Sequence, residues 1–163
     1  MKVVNLGEQN SVLNQFIAEI RDKQIQKDSM RFRRNLERIG EIFAYEISKT
    51  LEYTKTEVTT PLGIAECNLP ADNVVVSTIL RAGLPLHTGV LNYFDKAQNA
   101  FVAAYRKYGK DNKFTIQFEY ASTPSIEGKV LIIADTMLAT GSSLVLAYQK
   151  LCESGEPVHT HLV

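Results

Sequence analysis

The chain has 163 residues, 18 basic against 18 acidic side chains for a formal charge of zero, and 45% apolar residues. That is the length of one globular domain with its own core, and the neutral balance excludes the electrostatic footprint of a general nucleic-acid or membrane-surface binder. No apolar run approaches the roughly 18 residues of a membrane span. The opening MKVVNLGEQN carries one Lys and no apolar stretch, so no export signal is expected. Cys67 and Cys152 lie far apart outside any C-x-x-C pair, which fits two free thiols in a reducing, cytoplasmic setting.

In chain order, Val12, Leu13, Phe16, Ile17 and Ile20 fall on one side of a 3.6-residue repeat, which predicts an amphipathic helix over residues 11–20 capped by Ser11. A longer helix follows Asp28 or Ser29, because Phe32, Leu36, Ile39, Phe43 and Ile47 recur at helical spacing. Its other face carries Arg31, Arg34 and Arg38, read as solvated charge, with a phosphate or a partner as the alternative. Residues 53–58 and 64–68 flank Thr59-Thr60-Pro61-Leu62-Gly63 and read as a β-hairpin.

From residue 74 the pattern becomes buried strands alternating with helices: strands over 74–80, 100–105 and 130–134, a helical stretch near 86–97, and a helix after Ser142. Such alternation predicts an α/β fold with a parallel sheet flanked by helices. Phe114, Ile116, Phe118 and Tyr120 form a period-two stripe that reads as an excursion from the sheet, an arm or flap. Glu153-Ser154-Gly155-Glu156-Pro157 stops the last helix, and residues 158–163 resume a strand.

Ligands of open α/β sheets bind beyond the carboxyl ends of strands, which directs attention to two loops. The first runs from the strand 130–134 through Asp135, Thr136, Met137, Leu138, Ala139, Thr140, Gly141, Ser142 and Ser143 into a helix. Gly141 permits a tight turn, consecutive N–H groups form an anion nest, the hydroxyls add donors, and the helix amino terminus adds partial positive charge. Phosphate is thereby held without a Lys, while Asp135 can accept hydrogen bonds from sugar hydroxyls or position hydrated Mg²⁺. Taken alone, the same residues read equally as a turn acid before a capped helix. In the second loop Arg81 can grip an oxyanion while Ala82 and Gly83 let the backbone approach a ligand, and a third strand end offers Arg106. Walker, dinucleotide-binding, zinc-protease and nucleophile-elbow motifs are missing from the sequence. His159 and His161 share a strand face but lack an evident third ligand, and with His87 are read as packing or exposed residues, with no protein metal site expected.

The string IIADTMLATGSS resembles the phosphoribosyl-pyrophosphate (PRPP) signature of phosphoribosyltransferases, in the form used by the uracil phosphoribosyltransferase family. That form usually has Pro where Thr136 stands and Gly where Ser142 stands. The resemblance extends through Leu80-Arg81-Ala82-Gly83-Leu84, Tyr105-Arg106, Thr60-Pro61-Leu62-Gly63, Phe32-Arg33 and Ala44-Tyr45-Glu46. It implies a phosphoribosyltransferase-type sheet, with residues 135–143 on the ribose 5-phosphate and Arg81, Ala82, Gly83 and Arg106 at the diphosphate. Asp135, Arg106 and Arg81 are the expected catalytic residues. The implied reaction joins PRPP and uracil into UMP and diphosphate in pyrimidine salvage, with Mg²⁺ carried by PRPP, GTP as a candidate allosteric activator, and a homo-oligomer, dimer or tetramer. Family members also continue beyond the strand that starts near Val158 into a uracil-binding segment without a match here. Residues 1–163 are therefore expected to be a single domain, incomplete at its carboxyl end, with the uracil contacts unassigned. The competing classes are a phosphoribosyltransferase for another nucleobase, a non-catalytic relative sensing a nucleotide or RNA, and a structural subunit.

Overall fold

Asp28 starts the longest helix. In the computed structural model, which describes residues 2–108 and 114–163 with backbone alone for 104–119 where it is described, the Asp28 carboxylate accepts the N–H groups of Met30 and Arg31 at 3.1 and 3.0 Å. Those are two of the donors a helix start leaves without intrahelical partners, and the negative charge suits that end of the helix. Helix α2 then runs Ser29–Ser48, preceded by α1 over Val12–Arg21. Ser11 occupies the cap position of α1, yet its hydroxyl makes no capping bond.

The two helices meet through Leu13, Phe16, Ile17, Ile20 and Ile39, and a buried polar link reinforces them. Asn35 donates to Glu19 at 2.7 Å and accepts from Arg38 at 3.0 Å, while the Arg38 guanidinium stacks 5.2 Å from the Phe16 ring centroid. Arg31 pairs with Glu19 and Asp28, and Arg34 pairs with Glu37 at 2.6 Å. The arginine face read from the sequence is thus engaged locally rather than left as free charge.

Five strands form the main sheet in the order β5-β4-β3-β6-β7, with β3 Val74–Leu80, β4 Gln98–Tyr108, β5 Phe114–Ser122, β6 Val130–Ala134 and β7 His159–Leu162. The β4-β3, β3-β6 and β6-β7 contacts are parallel. Strand β6 is a continuous apolar run and β3 is buried along nearly its whole length, because both their faces are covered. Val75, Ile79, Leu131 and Ile133 pack under Ala147 and Leu151 of α4 (Ser142–Cys152). On the other face Val74, Val76, Val130 and Ile132 meet Ala44 and Ile47 of α2 and Val90 of α3 (Leu84–Leu91).

The expected parallel sheet carries one antiparallel edge. Strand β5 returns antiparallel on β4, a connection that a short turn satisfies, whereas a parallel partner needs a crossover of a dozen or so residues. Only residues 98–103 of β4 pair with β3. After a register shift between Ala103 and Ala104, the remainder pairs with β5 alone. The predicted arm therefore begins as the sheet's own edge pair, β4 with β5, and residues 109–113 lie outside the described residues. Helix α3 also stops before the predicted residue 97, because Phe94 and Ala97 reach the same apolar cluster from a turn and continue the burial pattern without the helix. The first hairpin is longer than its sequence signal: β1 Tyr53–Thr60 and β2 Gly63–Pro70 are joined through Pro61 and Leu62 and form a separate two-stranded sheet.

Helices α2 and α3 cross at Gly40 and Gly89, where backbone meets backbone. A Cβ on Gly40 would collide with the Leu86 carbonyl oxygen, and one on Gly89 with the Glu37 carbonyl oxygen. Neither neighbour is a side chain that can rotate away. Gly40→Ala and Gly89→Ala are each expected to destabilise the fold by about 1–3 kcal/mol, read as a lower urea midpoint with an unchanged slope.

Candidate active site

Strands β3 and β6 run in register with Thr78 opposite Ala134, so their carboxyl ends deliver two loops to one place. Thr78 is fully buried, and its hydroxyl donates to the Ala134 carbonyl at 2.9 Å. Above it, Gly83 is held so close that a Cβ would strike the Thr78 hydroxyl and lie 2.9 Å from the Ala134 oxygen. The Arg81-Ala82-Gly83 loop thereby rests on the end of β6, with Arg81 and Ala82 exposed and Gly83 buried. Among the described residues Arg81 makes no ion pair, which leaves its guanidinium available to an external oxyanion.

The second loop begins at Asp135, whose N–H donates to the Val163 carbonyl at 2.9 Å. Its half-buried carboxylate accepts the Thr136 N–H at 2.8 Å. Burial pushes this carboxyl above its ordinary range, and the N–H groups of Thr136 and Met137 only partly offset that. Met137, Leu138, Ala139 and Thr140 are exposed, and the loop closes at Gly141 with φ of 75°. In that left-handed conformation a side chain costs about 1–2 kcal/mol, so glycine is the residue that fits. Gly141 caps α4, accepting the Val145 N–H at 2.9 Å, and the Thr140 and Ser142 hydroxyls lie 2.9 Å apart beside it. Around this helix start stand first-turn N–H groups without intrahelical acceptors, the hydroxyls of Thr140, Ser142 and Ser143, and the positive end of the helix dipole. The arrangement suits a phosphate, with one carboxylate a few residues away for hydroxyl groups.

The sequence-predicted residues 81–83 and 135–143 are therefore neighbours in space. Arg106 takes its backbone place in β4 opposite Ile116, three residues beyond Ala103, the last to pair with β3, and its side chain lies outside the described residues. The joint made by Thr78 went unread in the sequence, since a Thr inside an apolar strand signals only β propensity. His87 lies on the buried face of α3 with Nε2 3.3 Å from the Val76 carbonyl and its ring 5.2 Å from Phe101, and burial pushes its pKa down. His159 and His161 stack at 4.5 Å on β7, with His161 Nε2 3.4 Å from the Thr50 hydroxyl. Among the described residues no group of three His, Cys, Asp or Glu side chains is placed to hold a metal ion.

The sequence profile described as uracil phosphoribosyltransferase matches residues 7–161, from ahead of α1 into β7. The chain belongs to the uracil phosphoribosyltransferase family. A uracil phosphoribosyltransferase of Porphyromonas gingivalis is 57% identical over 162 residues, covering 99% of this chain and 75% of that relative. One from Pyrococcus furiosus is 36% identical over 159 residues, covering 96% and 67%. Among solved structures, the AQ2163 protein from Aquifex aeolicus superimposes with a TM-score of 0.82 at 24% identity, covering 94% of this chain and 72% of that one. A hypoxanthine phosphoribosyltransferase from Staphylococcus aureus gives 0.55 at 15% identity, covering 78% and 60%. These structural likenesses establish the phosphoribosyltransferase fold, a mostly parallel sheet between helices.

The raised carboxyl of Asp135 has a consequence for stability in this family member. A folded-state pKa above the ordinary 3.8 favours the protonated form, so its stabilising contribution is complete below that value and is lost as pH rises through the folded one. Ionised Asp135 thus destabilises the unliganded protein near neutrality. Asp135→Asn is expected to raise the thermal midpoint at pH 7.5, with the gain shrinking to nothing as pH falls below the ordinary carboxyl range, which melting curves across pH check.

Proposed function

We propose that this chain is a uracil phosphoribosyltransferase acting in pyrimidine salvage, transferring the 5-phosphoribosyl group of PRPP to N1 of uracil. The products are UMP and diphosphate. The observation that carries the reading is the phosphate-shaped start of α4 set beside the Arg81 loop, in a chain that matches the family over residues 7–161.

In this reading Gly141, Ser142 and Ser143 offer N–H groups to the 5-phosphate, and the Thr140, Ser142 and Ser143 hydroxyls add donors. Thr136, Met137, Leu138 and Ala139 form the backbone wall between that phosphate and the ribose. Asp135 accepts hydrogen bonds from the ribose hydroxyls, and its negative charge favours the cationic character that develops at C1 as the C1–O bond to diphosphate breaks and the C1–N1 bond forms. The N1 proton passes to solvent water as the bond forms. Arg81 and Arg106 bind the diphosphate end, with Ala82 and Gly83 lining it through their backbone. Binding both reactants in line supplies much of the acceleration.

The donor set fits a magnesium ion that arrives with PRPP, since one carboxylate, Asp135, stands at the loop and Mg²⁺ keeps waters and substrate oxygens in its shell. When bound, Mg²⁺ supplies positive charge that offsets the charge of the departing diphosphate. The reading further includes a cytoplasmic homo-oligomer, dimer or tetramer, for which the exposed Leu62 and Ile64 of the first hairpin supply apolar surface, and GTP as an activator. No helix among the described residues is long and apolar enough to cross a membrane.

Two measurements test it. Titration calorimetry of Mg²⁺-PRPP is expected to show binding that Asp135→Ala and Arg81→Ala each weaken about tenfold or more, the size of one charge-assisted contact. Conversion of radiolabelled uracil to UMP, with cytosine and hypoxanthine as competing bases, is expected to show uracil preferred. Binding indifferent to both substitutions, or transfer to another base alone, would refute the assignment.

A further inference from the structure

Thr78 belongs to neither loop, yet both are built on its hydroxyl. The group lies fully buried between β3 and β6, where it donates to the Ala134 carbonyl at 2.9 Å. That carbonyl is half of the Ala134–Asp135 peptide, whose other half, the Asp135 N–H, donates to Val163 at 2.9 Å. The peptide from which the second loop departs is thus gripped at both ends. The same hydroxyl takes the volume that a Gly83 side chain would need, and a Cβ there would also lie 2.9 Å from the Ala134 oxygen. The Thr78 hydroxyl is therefore a contact that the 81–83 loop and the origin of the 135–143 loop share.

We propose that Thr78 is a positioning residue that sets the separation of the two halves of the PRPP site. This rests on the functional reading above, in which one loop receives the diphosphate and the other the ribose 5-phosphate. A ligand that spans both loops gains from the second contact only when the spacing matches its own length, whereas a ligand occupying one loop is indifferent to it. Replacing the hydroxyl by a methyl turns a hydrogen bond into a carbon–oxygen contact, which relaxes to about 3.3–3.6 Å and pushes the loops apart by roughly half an ångström. It also leaves a buried carbonyl without its donor.

The test compares three probes by calorimetry in the presence of Mg²⁺: PRPP, inorganic diphosphate and ribose 5-phosphate. Thr78→Val is expected to bind PRPP about tenfold more weakly than the unsubstituted chain while binding each half-ligand within about twofold of it, the pattern of a lost linkage rather than a lost contact. Thr78→Ser, which keeps the hydroxyl, is expected to bind all three as the unsubstituted chain does. Thr78→Ala removes the same hydroxyl without a methyl in its place and gives the comparison a second time should the valine variant fold poorly. Ser77→Ala, whose neighbouring buried hydroxyl has no partner among the described residues, serves as the control and is expected to change nothing.

Equal weakening of all three probes would mean a general structural role and overturn the proposal. So would a serine variant as weak as the valine one, or unchanged PRPP binding in both hydroxyl-free variants. Failure of the unsubstituted chain to bind PRPP would instead overturn the functional reading, and the positioning role with it.

Discussion

The parallel pairing of β3 with β6 is the constraint on which the rest of this protein depends. These strands stand at the middle of the sheet, and the pairing sets Val74 against Val130 and Thr78 against Ala134. Their side chains supply both apolar layers, one closed by α4 and the other by α2 and α3. Because β6 ends opposite Thr78 and β3 runs on only to Leu80, the loops that follow them are neighbours, although 56 residues of sequence separate Thr78 from Ala134. A slip of one residue would reverse every side chain of one strand and pull the loops out of alignment at the same time. Core packing and site assembly are one interaction here.

The N-terminal helices serve that arrangement from one side. Helix α2 approaches α3 closely enough at Gly40 and Gly89 for backbone contact, which fixes α3 and with it the loop that α3 continues. Helix α1 adds Leu13 to a cluster shared with Leu86 and Ala134, beneath the origin of both loops. Several charged side chains of α2 pair with one another or with α1, Arg34 with Glu37, Arg31 with Glu19, and Arg38 through Asn35 to Glu19. At exposed positions such pairs contribute little individually. Their use is to fix how the two helices lie together, which apolar contact alone specifies loosely.

Electrostatically, the site is built with little net charge. With zero formal charge overall, the proposed site relies on short-range donors to hold an anion: helix N–H groups, hydroxyls and an arginine that the protein leaves unpaired among its described residues. Asp135 is placed where burial disfavours its ionised form, and the neighbouring N–H groups recover only part of that. A carboxylate held at a cost to the unliganded fold is a common property of sites arranged for a ligand rather than for stability.

Local signals made much of this legible. Helical periodicity located α1 and α2, Asp28 marked the start of α2, and the apolar runs 74–80 and 130–134 marked the two central strands because burial on both faces leaves no alternation to misread. The glycine and hydroxyls of residues 135–143 marked a tight turn into a helix, since a left-handed turn at Gly141 and a helix start are local properties of the chain, while residue type alone left a phosphate loop and a capped helix equally open. Sequence could not supply what depends on partners distant along it. The antiparallel return of β5, the early end of α3 beneath a still-apolar stretch, the pairing of the arginine face and the clamp at Thr78 are each decided by which backbone lies alongside, and a period-two or 3.6-residue pattern records burial without recording against what. The residue types of the loops were legible in the sequence, while their nearness was decided only by the tertiary structure, because it rests on the pairing of β3 with β6 and the Thr78–Ala134 hydrogen bond, which neither segment records alone.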